Sequence, residues 1–168
     1  LSLAGCFTKE EPILPLPPYS TQVSTYKPVN GQAYYSLKDR KVVKENGTQD
    51  WELAFSCDES DYSILLNTSK GMGCFNTNSK DFYQAYQNGD YPWRFDKWNG
   101  KKDNSCIGVW GDFSFENPQS YGNVYLVNLG LDLSGNPTEI VKLQISGFEK
   151  NQYDIKVGDL EGRYERHY

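Results

Sequence analysis

The chain has 168 residues, of which 38% are hydrophobic and 15% aromatic, enough apolar material for the core of one domain. Its 13 tyrosines, 15 glycines and single methionine favour strands and turns over a helix bundle. The net charge of −5 argues against nucleic-acid partners, and no stretch approaches the ~20 apolar residues of a membrane-spanning helix.

The N-terminal segment carries the strongest local signal. Leu3-Ala4-Gly5-Cys6 matches a lipobox, in which small residues admit the chain to the peptidase and the thiol accepts the lipid. We therefore interpret residues 1–5 as the end of a signal peptide. Cys6 is the predicted lipidation site, carrying palmitate or a similar acyl chain that holds the protein in a membrane.

A spacer follows the anchor. Residues 6–31 are predicted to form the lipid anchor and a tether, which Pro12, Pro15, Pro17 and Pro18 keep extended. The basic-then-acidic run Lys9-Glu10-Glu11 resembles the surface-export signal of Bacteroidota-type lipoproteins. Together these features predict a location on the outer membrane, lipid-anchored and on the cell-surface side.

Residues 32–168 are expected to form a single all-β domain of antiparallel sheets with one short helix. The first hairpin pairs 33–37 with 41–44 around a turn at 38–40. A long glycine-rich loop is predicted over 68–78, followed by the helix over 80–87, which Ser79 caps. Alternating apolar residues place the remaining strands at 51–57, 62–67, 123–129, 139–146 and 153–157, with turns at 134–137 and at Lys150-Asn151.

Neither a metal cluster nor a catalytic set stands out, so we expect no enzyme. His167 is the single histidine, close to the C-terminal residue of the sequence, and a Ser-His-Asp arrangement would have to use it. Trp93 and Trp98 suit stacking on a flat ligand or on sugar rings, whereas core packing is the more common role of such residues.

Three cysteines besides Cys6 are expected to form one disulfide and leave one thiol in an oxidising compartment. Cys57 falls on the inward face of the 51–57 strand, where a cysteine behaves as a small hydrophobe. We therefore favour a bond between Cys74 and Cys106. The pairings Cys57–Cys74 and Cys57–Cys106 stay open.

The order of strand motifs resembles the HmuY family of haem-binding surface lipoproteins over residues 30–162. The resemblance rests first on Trp51-Glu52-Leu53-Ala54-Phe55 and the returning strand that ends at Asn67-Thr68-Ser69. The opening hairpin (Tyr34–Val43) and the C-terminal strands (Val124–Val127, Val141–Ile145, Tyr153–Val157) follow in the same order. It implies an all-β lipoprotein with a ligand cleft at the cell surface.

Haem or a related ligand is the cofactor that the resemblance implies. Characterised members hold haem between two histidines or two methionines, whereas this chain offers Met72 and His167. A tyrosine phenolate is a further type of ligand for ferric iron. The alternative function is an accessory lipoprotein of a TonB-dependent transporter or a secretion-channel complex, and a carbohydrate-binding module is the third.

Overall fold

The computed structural model describes residues 21–24, 32–43, 51–56, 62–96 and 105–161. They form antiparallel sheets of five, four and two strands, which confirms the all-β prediction. The elements in chain order are β1 (Thr21–Ser24), β2 (Gln32–Ser36), β3 (Lys41–Val43), β4 (Leu53–Ser56), β5 (Ile64–Leu66), a 3-10 helix (Thr68–Lys70), β6 (Gly73–Asn76), β7 (Gly111–Asp112), β8 (Gln119–Ser120), β9 (Val124–Asn128), β10 (Ile140–Glu149) and β11 (Gln152–Gly158).

The five-stranded sheet has the order β1-β11-β10-β9-β6. Its centre is the hairpin of β10 and β11, in which Glu149 pairs with Gln152 across a two-residue turn. Lys150 and Asn151 occupy that turn with φ of 52° and 62°, the left-handed conformation that a type I′ turn requires at both positions. The predicted turn at these two residues is therefore confirmed.

The four-stranded sheet has the order β3-β2-β4-β5, and it faces the five-stranded sheet across one core. The rings of Phe55 on β4 and Tyr153 on β11 meet across this core with centroids 4.8 Å apart. Trp110 is 1% exposed in the same core, and its indole N–H donates to the Tyr62 carbonyl at 2.8 Å. Core packing is thus the role of this tryptophan.

A segment without regular secondary structure, residues 78–93, contacts the opposite face of the five-stranded sheet. Lys142 and Gln144 of β10 donate from that face to carbonyls at Lys80, Phe82 and Gln84. Because this sheet is covered on both faces, the first six residues of β10 are all buried rather than alternating. We call residues 78–93 the outer segment.

The prediction of a helix over 80–87 is wrong. The carbonyls of Phe82 and Gln84 accept from the Lys142 ammonium, and the Tyr86 amide donates to the Leu160 carbonyl at 2.9 Å. These tertiary hydrogen bonds satisfy backbone groups that a helix would have paired internally, so local propensity is overridden.

Two other boundaries differ from the prediction. The expected loop over 68–78 contains the 3-10 helix and then β6, which pairs with β9 and buries Cys74. At the N-terminal end, β1 pairs with β11 inside the segment interpreted as tether, so the sheet begins at Thr21 rather than Gln32.

Candidate functional site

One end of the sandwich carries a cleft of about 320 Å³ to which both sheets contribute. From the four-stranded side come Lys38, in the β2–β3 turn, and Glu52, directly before β4. Lys70 ends the 3-10 helix. The β9–β10 connection supplies the remaining wall through Leu129, Thr138 and Glu139. We call this cleft, together with the β9–β10 connection, the loop end.

Glu52 forms the floor of the cleft, with its side chain only 3% exposed. The Lys70 ammonium lies 2.5 Å from its Oε2, while the Lys38 amide at 3.0 Å and the Ser36 hydroxyl at 3.2 Å donate to Oε1. A buried carboxylate is tolerated only when it is paired and hydrogen-bonded in this way. Glu52 therefore links the β2–β3 turn to the 3-10 helix.

The position of Lys70 follows from the caps of its short helix. The Asn67 side chain accepts from the Ser69 amide and donates to the Trp51 carbonyl at 2.9 Å. Gly71 ends the helix at φ 69°, a conformation that glycine adopts without strain. The Lys70 side chain is 29% exposed, and its ammonium lies between the buried Glu52 carboxylate and solvent.

The β9–β10 connection, part of which lines the cleft, carries two exposed leucines. Asp132 stabilises the connection, because its Oδ1 accepts from the amides of Ser134 at 2.8 Å and Asn136 at 2.9 Å. Leu131 is 37% exposed, and Leu133 is fully exposed. A turn held by its own hydrogen bonds thus presents an apolar side chain to solvent.

Met72 lies elsewhere than predicted. Its side chain is 1% exposed and belongs to the core between the sheets, so it does not sit in an open glycine-flanked loop. The thioether cannot reach a ligand at the surface unless the core opens. His167, the predicted second haem ligand, lies outside the described residues, as do Cys6 and Trp98.

Trp93 belongs to an aromatic group on the outer segment. Its ring contacts Tyr91 at 5.6 Å between centroids, and Tyr91 in turn stacks on Phe75 of β6 at 5.4 Å. The indole N–H of Trp93 is buried and has no hydrogen-bond partner among the described residues. Ligand stacking on Trp93 remains a prediction.

Cys74 and Cys106 lie in contact. Both are buried, at 1% and 6% exposure, and both are free thiols in this structure. A side-chain hydrogen bond between them, together with burial, raises the pKa of the Cys106 thiol far above its usual range. Cys57 lies outside the described residues, so the pairings that involve it are untested.

A second cleft, also of about 320 Å³, lies between the outer segment and the end of β11. Tyr86, Asn88, Asp159 and Glu161 supply its polar groups. Asp159 already pairs with Arg40 at 2.6 Å, so this cleft offers fewer free charged groups than the loop end.

Reasoning from sequence alone missed the loop end. Lys70 falls in the predicted loop over 68–78, and Leu133 lies between two predicted strands. Glu52, an acidic residue inside an otherwise apolar strand, is the one signal of a buried ionic contact. Such a residue is informative because carboxylates are rarely buried unless paired.

Among the described residues, no group of three or more His, Cys, Asp or Glu side chains is arranged to hold a metal ion. The same part of the chain contains no helix with the length and apolar character needed to cross a membrane. No protein-family model and no curated protein matches this chain.

Proposed function

We propose that this chain is a non-enzymatic lipoprotein of the outer-membrane surface that binds haem or a related amphiphilic carboxylate at its loop end. The observation that carries the proposal is a cleft between the sheets that is lined by two lysines and by the β9–β10 connection, which carries two exposed leucines. Lys38 is exposed, Lys70 is partly exposed, and Leu131 and Leu133 are exposed on the β9–β10 connection.

The chemistry of the ligand follows from these groups. A porphyrin is an apolar plate with carboxylates at one edge. Ammonium groups form charge-assisted hydrogen bonds with carboxylates, and leucines cover apolar surface. The Lys38 side chain is the better anion partner, because the Lys70 ammonium is engaged by Glu52. Acylation of Cys6 would hold this site at the membrane surface.

Met72 does not contact the ligand proposed for the loop end, because its thioether is enclosed in the core. Met72→Leu removes the sulfur while keeping the side-chain volume, so the fold should survive with a cost below about 1.5 kcal/mol. The variant therefore separates binding at the loop end from axial ligation by methionine.

The test is a titration of the purified chain with ferric and ferrous haem, followed by absorbance near the Soret band. We expect Lys38→Glu and Leu133→Ser each to weaken binding about tenfold, the effect of roughly 1.4 kcal/mol. Lys41→Glu and Val109→Ser are matched controls, since both residues are exposed and neither lines the cleft. They should bind like the unaltered chain, as should Met72→Leu.

Two results would contradict haem binding at the loop end. A spectral shift lost only in Met72→Leu would restore the methionine as ligand. The second is an absence of any shift in either redox state with the chain folded. That result would favour the accessory subunit of an outer-membrane transport or secretion complex, for which the fully exposed Leu133 would be the anchor.

In that case, capture from envelope extracts should recover a membrane-protein partner with the unaltered chain and with Val109→Ser, and lose it with Leu133→Ser. The two functions thus share variants but differ in readout: a haem spectrum for one and a co-purified protein for the other.

A further inference from the structure

The two main sheets meet at one side through neighbouring edge strands, β5 of the four-stranded sheet and β6 of the five-stranded sheet. Residues on both sides of the undescribed stretch 97–104 cover this junction. We call the described parts, Arg94–Asp96 and Ser105–Trp110, the seam segment. It contacts both edges, so its attachment decides how firmly this side of the sandwich is closed.

On the β6 edge, the seam segment is held by backbone. Arg94 and Cys74 exchange two hydrogen bonds of 2.8 Å and 2.9 Å between their amides and carbonyls. A Cβ on Gly73 would lie 2.9 Å from both the Arg94 carbonyl oxygen and the Phe95 ring. The backbone of β6 and that of the seam segment are therefore too close to admit a side chain at position 73.

On the β5 edge, the seam segment is held by side chains. Asp96 accepts from the Leu66 amide at 2.8 Å through one oxygen and from the Cys106 amide at 2.7 Å through the other. The Ser105 hydroxyl donates to the Ile64 carbonyl. The same carboxylate therefore positions β5 and Cys106 together.

Cys106 and Cys74 meet where these two attachments converge. Cys74 lies on β6, Cys106 lies beside β5, and their side chains contact each other inside the common core. Sequence separation gave no reason for this contact. It arises because the seam segment returns across the junction between the sheets.

We propose that Cys74 and Cys106 form a disulfide that fastens the seam segment across the junction of the two sheets. Two thiols give one S–S bond and release two protons and two electrons. The electron acceptor is a protein or small-molecule disulfide, which is reduced to two thiols by exchange through a mixed disulfide. The bond does not depend on which ligand the loop end takes.

Burial dictates when the bond forms and how long it lasts. With exposures of 1% and 6%, the folded thiols are shielded from a bulky oxidant, so exchange takes place while the seam segment is still docking. Once closed, the bond is shielded from reductants for the same reason. The cross-link then closes a loop of about 33 residues, which restricts the unfolded chain.

The experiment uses the full chain carrying Cys6→Ser, refolded in a glutathione redox buffer and mapped by non-reducing peptide mass spectrometry. We expect one dominant linked peptide pair, containing Cys74 and Cys106. Opening the bond in denaturant, followed by refolding with reductant, should lower Tm by about 10 °C. Cys57→Ser is the matched control and should keep both the linked pair and the shift.

Cys106→Ser should lose the linked pair and melt like the reduced chain. Should this variant fail to fold, the comparison of oxidised and reduced chain without any further substitution still decides the matter. Linked peptides that contain Cys57, or full alkylation of both Cys74 and Cys106 after oxidative refolding, would overturn the inference.

Discussion

At the scale of single residues, Lys142 shows how a charged side chain can organise surrounding backbone. It is 1% exposed on β10, and its ammonium donates to the carbonyls of Phe82 at 2.8 Å, Gln84 at 3.0 Å and Glu161 at 2.7 Å. Its three donors match three acceptors from two separate stretches of chain. This single group therefore holds both the outer segment and Glu161, which follows β11, against the sheet.

Substitution of Lys142 by methionine tests this role. Lys142→Met keeps the apolar stem but removes donors from three carbonyls, so we expect a loss of about 2 kcal/mol in unfolding free energy at pH 7. Native-state hydrogen exchange should become faster for amides of the outer segment, while amides of the five-stranded sheet should change less. An unchanged exchange pattern would show that the outer segment is held by its other contacts, without the Lys142 ammonium.

The same substitution has a pH signature. Burial lowers the pKa of Lys142 to about 8 from its ordinary 10.5. Between these values the unfolded chain keeps the proton and the folded chain releases it, so unfolding free energy rises with pH across that window. Denaturation of the unaltered chain at pH 8 and pH 10 should show this rise, and Lys142→Met should lack it.

At the scale of elements, Gly73 allows the backbone of β6 and that of the seam segment to lie close together. A Cβ at position 73 would press on the Arg94 carbonyl and the Phe95 ring at 2.9 Å, whereas one at Gly147 would meet nothing within 4 Å. Both positions lie in strands of the same sheet. Neither glycine has a positive φ, so the two positions differ in available space and in the register shift that precedes Gly147 in the β10–β11 pairing.

We expect Gly73→Ala to destabilise the chain by about 1–3 kcal/mol, because the added methyl overpacks the junction and pushes Arg94 away from Cys74. Gly147→Ala should cost far less. Urea denaturation measures both, and hydrogen exchange at the Cys74 and Arg94 amides should accelerate only in the first variant. Equal costs for the two substitutions would place the effect in the backbone conformation of the strand instead.

The predicted elements differ in how they were recognised. β2, β3, β9, β10 and β11 follow from local alternation and turn residues, as with the left-handed turn of Lys150 and Asn151. β6 was not predicted because the glycines around Met72 indicate a loop rather than a strand. The strand forms through its pairing with β9, which is distant in sequence. The false helix over 80–87 has the same cause, since Lys142 lies some 60 positions away.

The candidate site was less accessible to sequence reasoning than the fold. Met72 and Trp93 were chosen for their chemistry, whereas burial of Met72 depends on two sheets closing over it. The loop end joins residues as distant as Lys38 and Glu139, which no local pattern connects. The sequence favoured a bond between Cys74 and Cys106 because Cys57 falls on an inward strand face, with the other pairings open. The contact between the two side chains depends on the fold.

At the scale of the whole molecule, two phenols buried between the sheets couple stability to alkaline pH. Tyr35 on β2 and Tyr125 on β9 are 1% and 2% exposed, and burial raises the pKa of each to about 12. The Arg40 charge opposes the shift at Tyr35. One phenol comes from each sheet, so their ionisation reports on the core as a unit.

The sign of the effect is opposite to that of Lys142. Above pH 10 the unfolded phenols lose their protons while the folded ones keep them, so unfolding free energy is lost as pH rises from 10 through 12. Each phenol should account for up to about 3 kcal/mol across this window. The contribution of Lys142 rises up to about pH 10, and that of the two phenols falls above pH 10. The summed contribution of these three groups to unfolding free energy is therefore largest near pH 10.

Tyr35→Phe should remove roughly half of this alkaline loss, because the ring stays in the core and only the ionisable hydroxyl goes. Urea midpoints at pH 9, 10.5 and 11.5 measure the loss, and Tyr121→Phe, at an exposed phenol, is the control that should follow the unaltered chain. If Tyr35→Phe also follows the unaltered chain, the alkaline transition does not begin in the core between the sheets.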